Sequence, residues 1–174
     1  MKDEYTLAVS GVTHPPKPSS RIAKTLYIEA AKAVVDDWGP PTYLMSGCAF
    51  GIDTDAIMAF LKIFPAIKRV YLVVPGAPYN VAWVNECLGI HSPMERTAVT
   101  VHRMPVRTQP IAKAYMARND YVAEHADKLV AFPHQAEEQL RSGTWATVRR
   151  FEKLDKPVIV RPTAEVIDGL QSRE

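Results

Sequence analysis

Cysteine is scarce in this sequence: Cys48 and Cys87 are the only two in 174 residues, and they form no Cys-x-x-Cys pair. So few thiols give no disulfide framework, and a zinc centre built on cysteine pairs is excluded by count. The five histidines, His14, His91, His102, His125 and His134, show no His-Glu-x-x-His or related ligand spacing, so no metal site is expected. Long hydrophobic runs are missing too. No segment approaches the ~20 apolar residues of a membrane span, and the opening "MKDEYTLAVSG" lacks the apolar stretch of a signal peptide. Nor does charge of one sign dominate. Lys and Arg total 21 against 19 Asp and Glu, a net charge of +2, too even to demand nucleic acid or an acidic membrane as partner. The expectation from these absences is a reduced, cytoplasmic, soluble protein with no membrane partner.

What is present is an ordinary globular composition, 47% hydrophobic and 23% charged, in a length that fits one compact domain, residues 1–174. No internal repeat or low-complexity tract interrupts it. Short β-branched runs alternate with helical patterns, which predicts an α/β protein with a mostly parallel sheet of about six strands and helices on both faces. Strands are expected at Thr6–Ser10, Tyr43–Met45, "RVYLVVPG", "AVTVHRM", Lys128–Phe132 and Pro157–Val160. A helix capped at Ser19 or Ser20 carries Ile22, Leu26, Ala30, Ala33 and Val34 at 3.6-residue spacing. It should stop before Gly39-Pro40-Pro41. A second helix has Ile57, Leu61 and Phe64 on one face. A third, around Ala112–His125, has an expected inward stripe of Ala112, Tyr115, Met116, Asn119, Val122, Ala123 and Ala126. Residues 76–98 fit either a second small core or an association face exposing Trp83, Val84, Leu88 and Ile90.

In open parallel sheets, ligands sit beyond the carboxyl ends of the strands, which directs attention to four junctions. "SGVTHPPKPSSR" places Gly11 after a strand, with Lys17 and Arg21 as cations nearby; it reads equally as a stiff surface loop. "SGCAFGIDTDA" is not Gly-x-Gly-x-x-Gly, so the dinucleotide fingerprint fails. Its glycines Gly47 and Gly51 suit a tight turn and close approach of a ligand to the backbone. Asp53 and Asp55 fall at a helix start, where a carboxylate repels phosphate and suits either plain capping or ribose hydroxyls. On the third helix, Asn119 needs hydrogen-bond partners if it faces inward, and Arg118 beside it is a candidate phosphate ligand. The last junction, "LRSGTWATVRRFEKLDKPVIV", sets Ser142-Gly143-Thr144 at the mouth of an amphipathic helix with Trp145, Val148 and Phe151 inward. Such a start is either a plain cap or a phosphate site.

Taken together, "SGCAFGIDTDA", "ARNDYVAEHADKLVAF" and "SGTWATVRRFEKLDKPVIV" resemble the three blocks of the SLOG superfamily. This grouping includes the core of the DNA-processing protein DprA, the LOG-type nucleoside 5′-monophosphate phosphoribohydrolases and small YpsA-like proteins. The resemblance covers roughly residues 5–60 and 110–162. It implies a Rossmann-like three-layer α/β/α sandwich with a nucleotide pocket built from Gly47, Gly51, Asp53, Arg118, Asn119, Ser142, Gly143 and Thr144; the junctions themselves add Gly11, Arg21 and Ser46 as candidate ligand residues. It also implies self-association into a homodimer or larger assembly.

Departures from the family qualify the activity. LOG-type enzymes follow their Gly-Gly-x-Gly-Thr loop with acidic residues that serve hydrolysis, whereas Gly143-Thr144 is followed here by Trp145, Ala146 and Thr147. The resemblance therefore favours binding of a nucleotide-derived ligand, with no cofactor. Nucleotide N-glycoside hydrolysis is the enzymatic alternative, with Asp53, Asp55 or Glu137 as acid or base; Glu138 lies beside Glu137 in "PHQAEEQLR". Single-stranded DNA binding in the manner of DprA is a third reading. Against it, the basic residues Arg103, Arg107 and Lys113, and Arg149-Arg150, have few aromatics between them, and such binding needs stacking platforms along a basic groove.

Overall fold

The computed structural model describes residues 4–12, 20–47, 51–75, 97–105 and 110–164, with residues 20–23 described by their backbone alone. The elements are β1 (Thr6–Gly11), α1 (Ser20–Trp38), β2 (Tyr43–Ser46), α2 (Ile52–Ile63), β3 (Arg69–Val74), β4 (Ala98–Arg103), α3 (Ile111–His125), β5 (Lys128–Phe132), α4 (Gly143–Lys153) and β6 (Val158–Val160). The six strands form one sheet in the order β4-β3-β2-β1-β5-β6, and every pair is parallel. The expected sheet is thus wholly rather than mostly parallel. With helices on both faces, the molecule is a Rossmann-like three-layer α/β/α sandwich.

Side chains on a strand point alternately to opposite faces, and β1 shows what this does. Leu7 and Val9 join a cluster with Leu44, Val70, Leu72, Val130 and Phe132, closed by Leu26, Ala30 and Val34 of α1 and by Ile57 and Phe60 of α2. Ala8, between them, joins the opposite cluster of Met45, Val73, Leu129 and Ala131 under Val122 and Ala123 of α3 and Val148 and Phe151 of α4. The first face is filled by rings: Phe132 meets Tyr27 edge-on at 5.5 Å and Phe60 at 6.4 Å. Phe60, Phe132 and Phe151 are fully buried, each stabilising the fold by about 1.5–3 kcal/mol through area removed from water.

The helical stripe expected on α3 is corrected. Val122, Ala123 and Ala126 are buried as expected, but Ala112, Tyr115 and Met116 are exposed, Asn119 is only half-buried, and it is Arg118 that is buried. The first two turns of α3 have no apolar layer over them among the described residues, so the 3.6-residue pattern there does not mark a core face. The strand patterns held better. β4 is an edge strand with no fully buried residue, which explains its alternating sequence, while β3, between two neighbours, reads as a nearly continuous apolar run.

From β1 the chain steps outward through β2 and β3 to β4, then returns to lay β5 and β6 on the other side of β1. The direction of winding therefore reverses between β1 and β5, whose ends are in register at Gly11 and Phe132. A crevice beyond the carboxyl ends of such a pair is where open parallel sheets hold ligands. Residues 76–96, with the expected association face at Trp83, Val84, Leu88 and Ile90, lie outside the described residues, as do Lys17 and Cys48.

Candidate functional site at the sheet's switch point

The floor of the crevice is made by β1, β2 and the start of α2. Asp53, in the first turn of α2, is only 4% exposed. Its Oδ1 accepts the Gly11 amide at 2.5 Å, and its Oδ2 accepts the Ser46 hydroxyl at 3.4 Å. One carboxylate thus ties the ends of two adjacent strands to a helix start, where its charge also suits the helix dipole. Val12 adds a second tie: its amide donates to the Phe132 carbonyl, and its carbonyl accepts from the Ile52 amide, both at 3.3 Å. Gly51, which opens α2, has φ 114° and ψ −129°, a conformation open essentially to glycine alone. Gly11 is glycine for lack of room, since a Cβ there would lie 2.4 Å from Ile52 Cγ2.

The wall comes from α3. Arg118 is 7% exposed, and its guanidinium donates to the Gly47 carbonyl, 71 residues away. Its Nε donates to Asn119 Oδ1 at 2.8 Å, and its Cζ lies 5.6 Å from the centre of the Tyr115 ring. Gly47 can approach this closely only without a side chain: a Cβ would fall 2.4 Å from the guanidinium. Arg118 forms no ion pair with a carboxylate among the described residues. A guanidinium carries five donors, and a buried charge is costly unless it is paired. Arg118 and Asn119 therefore exchange the places the sequence gave reason to expect. The arginine is the inward residue, and the half-buried asparagine orients it.

The third part is the start of α4, directly after β5. Ser142 is its N-cap, with a hydroxyl that accepts the Trp145 amide at 3.3 Å. Its carbonyl accepts from Ala146 at 2.9 Å. The amides of Gly143 and Thr144 have no acceptor among the described residues. The first turn holds no acidic residue, and the position a Gly143 side chain would take is open space. Thr144 and Thr147 are buried, the latter bonding back to the Gly143 carbonyl at 3.1 Å.

The two helix starts differ in electrostatic character. That of α2 carries Asp53 and Asp55, and the Tyr27 hydroxyl is raised above its ordinary range, first by burial and then by the charges of Asp55 and Asp53. Desolvation likewise raises the Asp55 carboxyl. At the start of α4 the Gly143 and Thr144 amides have no acceptor among the described residues and the first turn carries no acidic residue, so it is the one suited to an anion.

The remaining sequence candidates fall elsewhere. Arg21 belongs to α1, with its side chain outside the described residues. Glu137 is exposed, and Glu138 is held by Arg149 at 2.7 Å. Arg150 is paired with Asp120 across α3 and α4, so both members of the basic pair Arg149-Arg150 have acidic partners. Sequence reasoning missed Tyr115 as a neighbour of Arg118; the i, i+3 spacing was the available signal. Among the described residues, no group of three or more His, Cys, Asp or Glu is arranged to hold a metal. None of their helices is long and apolar enough to cross a membrane. No protein-family model matches the chain, and no curated protein matches it.

Proposed function

We propose that the chain binds a nucleotide-derived ligand at the switch point, its phosphate held by the amides of Gly143 and Thr144 and by Arg118. The observation that carries this reading is the buried Arg118 guanidinium, which has no carboxylate partner among the described residues; the start of α4 adds two amides with no acceptor among those residues. Both are features an anion would complete. Asp53 is assigned a positioning role, because its two oxygens already serve Gly11 and Ser46. Asn119 keeps the guanidinium oriented, and Gly47 gives it room. Binding is favoured over hydrolysis because the carboxylates near the crevice are engaged or exposed. A small ligand is favoured over single-stranded DNA because Arg149 and Arg150 are already neutralised. The SLOG resemblance points the same way and supplies the homodimer as the expected assembly.

The test is thermal unfolding of the purified protein with nucleoside mono-, di- and triphosphates, NAD and ADP-ribose. A ligand that binds only the native state raises the midpoint with its concentration. The shift should disappear in Gly143→Asp, which places charge where the phosphate would sit, and persist in Gly143→Ala, for which there is space. Chromatography of the incubated ligand then separates binding from cleavage. Absence of a shift with every one of these ligands would sink the proposal.

A further inference from the structure

Along one face of α3, Ile111, Tyr115, Arg118 and Val122 follow one another at helical spacing, and their exposures fall from 52% to 37%, 7% and 4%. The face descends from solvent into the sheet, with an apolar rim at the top and a buried cation beneath. Met116, next to Tyr115 in the chain, is 53% exposed, so the first two turns of α3 present three large exposed apolar side chains with no covering element among the described residues. Exposed apolar patches bordering a polar pocket mark ligand grooves. The Arg118 guanidinium lies 5.6 Å from the centre of the Tyr115 ring, within the reach of a cation–π contact.

We infer that Tyr115 is a stacking platform for the aromatic base of the ligand, with Ile111 and Met116 as its apolar border. The inference rests on the nucleotide reading above and deepens it. Tyr115 touches the same guanidinium that is assigned to the phosphate, so base and phosphate would be read by neighbouring residues of a single helix. Every nucleobase offers a flat π-face, and stacking on an aromatic side chain is tolerant of which base is present. The ligand class is therefore a phosphorylated nucleoside of any base, distinguished from a sugar phosphate by the ring it carries.

Calorimetric titration of wild type, Tyr115→Ala and Tyr115→Phe with AMP, GMP, CMP and UMP, and separately with ribose 5-phosphate, tests this. Tyr115→Ala gives up the contact with Arg118, so its unliganded melting temperature should fall slightly, while Tyr115→Phe should melt with wild type. Tyr115→Ala should weaken all four nucleotides by roughly tenfold or more, the scale of one stacked base. Tyr115→Phe should retain them, and ribose 5-phosphate should bind all three proteins alike. Nucleotide affinity unchanged in Tyr115→Ala, with ribose 5-phosphate still bound, would overturn the platform and leave the phosphate site standing. No binding of any compound to wild type would overturn both.

Discussion

Gly11 and Gly47 are each packed too closely for a side chain, but against different neighbours, and this gives them different consequences. At Gly11 a Cβ would strike Ile52 at Cγ2 and Cβ, 2.4 and 2.6 Å away, close to the root of a β-branched chain that opens α2. That neighbour cannot swing aside, so Gly11→Ala should destabilise the fold by about 1–3 kcal/mol, as overpacking does. At Gly47 the obstacle is the far end of a flexible arginine. Gly47→Ala should cost about 1 kcal/mol or less, yet remove ligand binding by displacing Arg118. Urea unfolding and nucleotide titration of the two variants measure this contrast. Equal stability losses would contradict it.

Elements were more legible in the sequence than the contacts between them. The β5 boundaries, Lys128–Phe132, follow from a short apolar run between a helix and a proline, and α1 stops at Trp38 because Gly39-Pro40-Pro41 cannot continue it. These are local signals. The position of Arg118 is not local, since burial of a charged residue depends on a carbonyl 71 positions away. The link from Asp53 to Gly11 crosses 42 residues, and nothing in "GIDTDA" distinguishes it from plain capping. At the start of α4, local chemistry and the candidate site coexist. Ser142 caps the helix, and the two amides after it are left over. Ser142→Ala should therefore lower stability by about 1 kcal/mol, the usual worth of a cap, while leaving those amides in place. Chemical denaturation should show the loss, and ligand affinity per folded molecule should change little.

The whole molecule is polar in construction. Partnered charges gather where its strands begin, next to the starts of β1, β3, β5 and β6. Glu4 accepts from Tyr43 at 2.9 Å and pairs with Lys68. Lys128 lies over the rings of Tyr5 and Trp38 at 4.3 and 5.3 Å. Lys156 donates to the carbonyls of Ala123, Glu124 and Ala126 at 2.7–2.9 Å. The hydrogen bonds from Lys68 and then Tyr43 lower the Glu4 carboxyl below 4.5, and the bond to Glu4 raises the Lys68 ammonium above 10.5. A lowered carboxylate stabilises the fold above its unfolded value, and that contribution is lost as pH falls through the folded value. A raised ammonium contributes below its unfolded value and loses this as pH rises through the folded one. The melting-temperature gap between wild type and Lys68→Met should thus be flat between 4.5 and 10.5 and close on either side. Because both groups are exposed the gap will be small; a gap that grows in acid would rule the pairing out.

The reversal of winding also divides the sheet into pairings between strands consecutive in the chain and one distant pairing. β1 to β4 are laid down in sequence and pair with neighbours already made. β5 must instead return to β1, joining the Thr6 amide to the Asp127 carboxylate across 121 residues, the kind of distant closure that is slow to find. The crevice exists only once that closure is made, because one of its sides is β1 and the other leads from β5 into α4. A ligand seated there would act as a latch on the join between the two halves of the sheet, and its binding would report that this distant closure has been made.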